Sequence, residues 1–197
     1  MRHGDVWQPR EGRTSPGEAE SALSPVVEVL RTYLELRSPD QLRRVDLDDP
    51  AARFVRRDDI PVNEYRRLYH DVGRQWHWVD RNVWSDERLA AHLARPEIVV
   101  YECRVHDEVA GFFELERHAD GSVEISYFGL MPSFMGRGLG KAMLSAAATE
   151  AWSLNPNRVW LHTCTLDSPR ALPNYKARGF VPFKTETYVV QLETPPS

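Results

Sequence analysis

Glycine occupies every second position in the stretch Met135-Gly136-Arg137-Gly138-Leu139-Gly140-Lys141. The β-branched and aromatic run Val123–Leu130 leads into it, and the alanine-rich run Lys141–Trp152 follows it, so the order reads strand, glycine turn, helix. A turn stripped of side chains lets backbone N–H groups converge on an anion at the helix N-terminus. Arg137 and Lys141 add positive charge at the same place, and the expected guest is a phosphate or pyrophosphate. Other chemistry-bearing groups lie nearby in the chain. Glu124 sits on the strand before the turn, where period two would set it on one face with Ser126 and Phe128. His162 and Cys164 share a face of a later strand. As metal ligands they lack further partners in sequence, a Cys-His nucleophile is a second reading, and a strand bordering a substrate cleft is the third. Trp76, Trp78 and Trp84 are either core or the walls of an acceptor pocket, since aromatic faces attract ammonium groups. His77, Asp80 and Arg81 beside them are candidates for polar specificity.

Three kinds of anion loop compete for the glycines. A Walker A loop needs G-x-x-x-x-G-K-[ST], but Ala142 follows Gly140-Lys141 and offers no hydroxyl for Mg²⁺. A dinucleotide fingerprint needs G-x-G-x-x-G on the first strand of a βαβ unit, with an acidic residue about 20 residues further on. Here the spacing is G-x-G-x-G and the turn lies well past the middle of the chain. The third kind is the loop that holds the pyrophosphate of an acyl-coenzyme A.

The stretch resembles motif A of the GNAT superfamily of N-acetyltransferases, [Q/R]-x-x-G-x-[G/A], here Met135-Gly136-Arg137-Gly138-Leu139-Gly140. Met135 departs from the polar residue usual at the first position. Downstream, Ala171-Leu172-Pro173-Asn174-Tyr175-Lys176-Ala177-Arg178-Gly179-Phe180 is similar to the family signature A-x-x-x-Y-x-x-x-G-F. The resemblance covers residues 98–192 well and the N-terminal half poorly. It implies an α/β fold of the α+β type, a central mixed, mostly antiparallel sheet flanked by helices on both faces. It implies acetyl-CoA as cosubstrate, with the pyrophosphate on Met135, Gly136, Arg137, Gly138, Leu139, Gly140 and Lys141, and no metal. Phe128-Gly129-Leu130 falls where the family strand is irregular, with backbone groups at Phe128 and Leu130 holding the thioester and pantetheine arm. Ser168 and Asn174 are further candidates for coenzyme contacts. Glu124 matches the catalytic carboxylate of some members, others using ordered water, and Tyr175 matches the tyrosine that serves the coenzyme sulfur. The expected reaction is direct attack of a primary amine, small molecules favoured over protein, with Glu124 as base and Tyr175 as acid. Trp76, Trp78, Trp84 and His162 are the candidates for acceptor binding. A non-catalytic acyl-CoA-binding domain is the alternative.

These residues need a scaffold, and the chain is long enough to build one. Its 197 residues suit one full-sized domain. Twenty-five basic against 29 acidic residues give a formal charge of −4, which removes the electrostatic case for nucleic-acid binding. No apolar run approaches the ~20 residues of a membrane span, and no secretory h-region is visible. Cys103 and Cys164, without C-x-x-C spacing, read as reduced buried thiols of a cytoplasmic protein. A homodimer is a further expectation.

Residues 1–22 have little to bury and read as a disordered tail before a single domain over 23–197. A short helix is expected around Pro25–Leu30, then a strand over Thr32–Leu36, and a charged loop over 46–57. Pro61 opens a helical pattern, and Ser85 reads as the N-cap of a helix over 86–93, closed by Pro96. Strands follow over 98–105, 109–117 and 122–130, joined by turns at His106-Asp107-Glu108 and Ala119-Asp120-Gly121. A helix over 138–153, a strand over 158–164, a helix over 169–178 closed by Gly179, and a strand or strand pair over 183–192 complete the reading.

Overall fold

The β-branched runs of the sequence form the seven strands of one sheet in the computed structural model, which describes residues 25–192. The tail expected over residues 1–22 lies outside them. The strands are β1 (Val26–Leu36), β2 (Ala52–Arg56), β3 (Ile98–Val105), β4 (Glu108–Arg117), β5 (Val123–Leu130), β6 (Val159–Cys164) and β7 (Val181–Gln191). Their order across the sheet is β2-β3-β4-β5-β6-β1-β7, antiparallel except between β5 and β6. Four α-helices cover it: α1 (Val62–Gly73), α2 (Asp86–Leu93), α3 (Leu139–Ser153) and α4 (Ala171–Ala177). None among the described residues is long and apolar enough to cross a membrane.

Alternation along β3 and β4 shows why helices sit on both faces. Val99, Tyr101, Cys103, Phe113 and Leu115 point to one side, where Met143, Leu144, Ala147, Ala148 and Ala151 of α3 meet them. Val100 and Phe112 point to the other, against Tyr65, Leu68, Tyr69 and Val72 of α1 and Leu89 of α2. Alanines along α3 let the helix lie close to the sheet. On its far side the Ser145 hydroxyl accepts from the Val45 N–H at 2.9 Å, so α3 is buried between sheet and chain.

Three local expectations change. Val26–Leu30 is not helical but the first half of β1, because Val26, Val27 and Val29 are β-branched and pair with β7 from Val26↔Gln191 onward. The charged segment around Arg53 contains β2, an edge strand whose Arg53 and Arg56 reach Asp107 and Asp58. Residues 181–191 form one long strand, with a register shift opposite Tyr33/Leu34. The cap at Ser85 is as expected, its hydroxyl accepting from the Arg88 N–H at 3.2 Å.

Both cysteines are free, Cys103 buried and Cys164, against expectation, only half-buried. Burial pushes the Cys103 thiol up to about 11. Because the thiolate is the reacting species, native Cys103 should label slowly with a disulfide reagent at neutral pH and faster only as pH approaches that value. Labelling in urea provides the reference. A native rate at neutral pH equal to the unfolded rate would mean the β3–β4 core opens freely.

Candidate active site

The glycine turn is built for an anion. Gly136 and Gly138 adopt φ of +78° and +83°, and Gly138 caps the N-terminus of α3. Positive φ at both positions curves the backbone into a nest of N–H groups, a conformation that favours glycine. The Met135 N–H is taken by Pro132 O and that of Lys141 by Gly138 O. Between them the N–H groups of Gly136, Arg137 and Gly138 have no acceptor among the described residues. A side chain at Gly136 or Gly138 would meet nothing within 4 Å, so the loop is open on that side. Arg137, exposed, lies over the Phe134 ring at 4.8 Å, and Lys141 is exposed one turn into the helix. The backbone of the loop therefore fits a pyrophosphate.

Neighbouring residues steady this turn. The Asn174 amide donates to Gly140 O at 3.2 Å, tying α4 to the first turn of α3. Leu130 Cδ1 would lie 3.7 Å from a Cβ on Gly140. Met135 accepts from Gln75 Nε2 at 3.9 Å. Ser168 accepts from the Arg170 N–H and helps start α4.

Next to the loop the sheet parts. β5 and β6 pair at Val123↔Val159 and Glu124↔Trp160, and past these positions the ladder ends. Beyond them the facing backbone groups of the two parallel strands are not joined in a ladder. The irregularity in the β4–β5 ladder is not at Phe128–Leu130, which pair regularly with Phe113, Phe112 and Gly111. It is one residue of β5, Ser126, skipped between Glu114↔Tyr127 and Leu115↔Ile125. Its hydroxyl oxygen is buried without a partner among the described residues. An extra residue resets the alternation. Tyr127 and Gly129 therefore join Glu124 on the α1 face, whereas Phe128 turns to the α3–α4 face, apart from Glu124. Gly129 is small for packing reasons, since a Cβ there would sit 2.4 Å from Val72 Cγ1.

Phe128 now borders Tyr175, ring centroids 6.1 Å apart and edge-on, with Phe180 behind at 6.4 Å. Tyr175 is buried, and burial, reinforced by the negative charge of Asp167, holds its phenol well above the ordinary range. A phenol so held keeps its proton at neutral pH and is a donor.

On the opposite face Glu124 is bracketed by two imidazoles. His118 Nε2 lies 3.0 Å from Glu124 Oε2 and His162 Nδ1 lies 3.2 Å from Oε1. Glu116, directly across the ladder, completes the group and pairs with Arg95 at 3.0 Å. One atom each of Glu116, His118 and Glu124 lies within 4.8 Å of the others, a spacing compatible with a cation. The Glu124 oxygens face imidazole nitrogens at hydrogen-bonding distance. His118 and Glu116 escaped the sequence reading. Glu116 is recoverable from the Ala119-Asp120-Gly121 turn, which sets the Glu116↔Glu124 register. His118 flanks the same turn, with no pattern of its own.

Tyr33, Trp160 and Phe183 continue this open face, Tyr33 lying 5.7 Å from His162 and 6.2 Å from Trp160. Cys164 is not a nucleophile in waiting, because burial and the charge of Asp167 push its thiol up. Of the three tryptophans, Trp78 and Trp84 pack against other side chains. Trp78 packs on Tyr69, Phe112 and Tyr127 and lies close against Gly73. Trp84 is stacked between the guanidinium groups of Arg81 and Arg88. Trp76 is half-buried in a 3-10 turn, and His77 and Asp80 are exposed. Arg81 turns inward to Glu114.

The sheet is mixed and parts between two parallel strands, and the glycine turn follows the first of them. The profile described as Acetyltransferase (GNAT) family matches residues 63–180, and the chain belongs to that family. Uncharacterized N-acetyltransferases of Mycobacterium tuberculosis and Mycobacterium bovis are 30% identical over 111 residues, covering 56% of this chain and 70% of theirs. A GCN5-related N-acetyltransferase from Kribbella flavida superposes with a TM-score of 0.58 at 16% identity, over 83% of this chain and 58% of that one. An aminoglycoside acetyltransferase from an uncultured soil sample, solved with trehalose, gives 0.56 at 13% identity, over 66% and 88%. A Drosophila protein gives 0.60 at 12%, over 86% of this chain and 53% of that one, so this chain spans about half its length. At these identities the structural likeness is one of fold.

Proposed function

We propose that the protein transfers the acetyl group of acetyl-CoA to a primary amine by direct attack, residues 23–197 acting as one catalytic domain. The observation that carries this is the set of unpaired N–H groups at Gly136, Arg137 and Gly138, opening beside the parted strands β5 and β6. When bound, acetyl-CoA supplies an acetyl group activated as a thioester. The loop would orient its pyrophosphate, with Arg137 and Lys141 adding charge, and Phe128 and Leu130 would line the path of the pantetheine arm. Tyr175 would hold a proton for the departing sulfur. The Glu124 group, on the other face, would receive the proton that the acceptor ammonium must lose before its nitrogen can attack. A small amine is favoured by the open aromatic face of Tyr33 and Trp160 around the Glu124 carboxylate, and by the fold shared with an aminoglycoside acetyltransferase.

The test is binding first, then turnover. Coenzyme A should raise the melting temperature, since a ligand of the native state alone stabilises it by mass action. Gly138→Asp should abolish that rise while the free protein still folds. Asp tolerates positive φ better than most residues, and nothing lies within 4 Å of the new Cβ. Its carboxylate would stand where the pyrophosphate approaches. A shift that survives the substitution would move the anion site elsewhere. Binding without thiol release across a panel of amines would leave an acyl-CoA-binding domain.

A further inference from the structure

The acetyl-transfer reading leaves open which atom takes the acceptor's proton, and the surroundings of Glu124 decide it. An ionised carboxylate only accepts hydrogen bonds. Each imidazole nitrogen facing it therefore carries the hydrogen: Nε2–H of His118 on one oxygen, Nδ1–H of His162 on the other. In the neutral rings the free lone pairs are then Nδ1 of His118 and Nε2 of His162. Glu124 is the enclosed member, its side chain 11% exposed against 33% for each histidine. Each Glu124 oxygen accepts from one imidazole and faces inward, so the histidines are the members an incoming amine meets first.

Position separates the histidines. His118 lies beyond the N-terminal end of β5, at the turn joining it to β4, where its ring packs on Trp160 at 5.4 Å. His162 lies on β6 beyond Trp160, the last residue paired with β5, so its backbone stands where the strands diverge toward the cleft. The groups that face it are Glu124 from β5 and Tyr33 from β1. Glu116 and His118 lie beyond Glu124, and Lys184 and Glu186 lie beyond Tyr33.

The geometry points to His162 as the catalytic proton acceptor, through Nε2, with Glu124 as a positioning residue that fixes its tautomer; this rests on the acetyl-transfer reading. The acceptor ammonium gives one proton to His162 Nε2. The freed nitrogen lone pair forms the C–N bond as the C–S bond breaks, and the C–S electron pair stays on sulfur. Sulfur takes a proton from Tyr175, and the surplus proton on the new amide nitrogen restores the phenol. The proton on His162 leaves to solvent, so one amide, one thiol and one proton are formed. The same arrangement of imidazole base and orienting carboxylate recurs in unrelated hydrolases.

Two variants and a spectrum test this. Nitrogen-15 NMR of the ring nitrogens, without coenzyme and at about pH 8, above the usual range of histidine charging, should show the His162 proton on Nδ1. A proton on Nε2 would overturn the assignment without any assay. Activity is measured with acetyl-CoA and a polyamine, an aminoglycoside, lysine and a peptide N-terminus, using the best acceptor. His162→Ala should lower kcat by about 10² or more, the scale of acid–base catalysis. Coenzyme A should still raise its melting temperature, and free imidazole should restore turnover in proportion to its concentration. His162→Asn keeps an N–H for Glu124 but no free ring nitrogen, so it should lose as much as alanine. A His162→Ala that keeps pace with the wild type, or a folded one that imidazole does not rescue, overturns the assignment. A wild type that acetylates none of the amines defeats the acetyl-transfer reading itself, and the assignment with it.

Discussion

Replacing Arg81 with methionine is expected to cost about 3–5 kcal/mol of stability, the scale for breaking a buried ion pair by removing one partner. Glu114 on β4 is fully buried, and it accepts from Arg81 at 2.9 Å, His92 at 3.1 Å and the Tyr65 hydroxyl. Arg81 is buried too, its guanidinium lying 4.1 Å over Trp84 and 5.1 Å over Tyr127, and its own N–H reaching the Tyr69 hydroxyl. Methionine fills much of the volume, so the loss is chiefly that of a buried carboxylate deprived of its guanidinium. Adding Glu114→Gln should recover a large part, because the amide needs no counter-charge and still accepts from Tyr65. Urea unfolding of the three proteins gives the comparison. A loss below about 1 kcal/mol for Arg81→Met would mean that water reaches Glu114 and the pair is not a keystone. The consequence reaches β5, because Arg81 anchors the segment whose Trp78 packs on Tyr127.

That pair shows where reading from sequence stops. The strand–turn–helix over 123–153 was legible because its signals are local: β-branched residues, then alternating glycines, then alanines. The turn at Ala119-Asp120-Gly121 was legible for the same reason, and Gly121 does take φ of +81°. Val26–Leu30 was misread because its conformation is decided by β7, at the other end of the chain. The bulge at Ser126 carries no residue-level signature, yet it separates Phe128 from Glu124 and sends each to a different face of the sheet. Periodicity assumes an unbroken ladder, and one skipped residue defeats it. The tryptophans were ambiguous from sequence because density of aromatics does not reveal what packs on them. In the structure Arg81 and Arg88 hold Trp84, and Gly73 makes room for Trp78. The partners of Glu124 were hidden likewise, since His118 and His162 meet only across two strand pairings.

Tyr175→Phe should lower kcat by about 10²–10⁴ with little change in the affinity for coenzyme A, the range that general acid catalysis supplies. The ring packs between Phe128 and Phe180 and is kept by the substitution, so the fold and the wall of the cleft should survive. Only the hydroxyl is lost. Its proton matters most when sulfur gains negative charge, so the loss should fall on the transition state and not on ground-state binding. The raised pKa of the phenol keeps this proton in place and makes the group a weaker acid. Burial and Asp167 disfavour the phenolate, so the group stays protonated across the working range. A phenol so held returns quickly to its neutral form after giving up a proton. Wild-type activity should therefore show no loss from Tyr175 ionisation as pH rises toward ordinary tyrosine values, about 10. The check is kcat and the acetyl-CoA KM for both proteins on the best acceptor, with circular dichroism as the folding control. A folded variant with near wild-type kcat would remove Tyr175 from proton transfer and leave it a packing residue of α4.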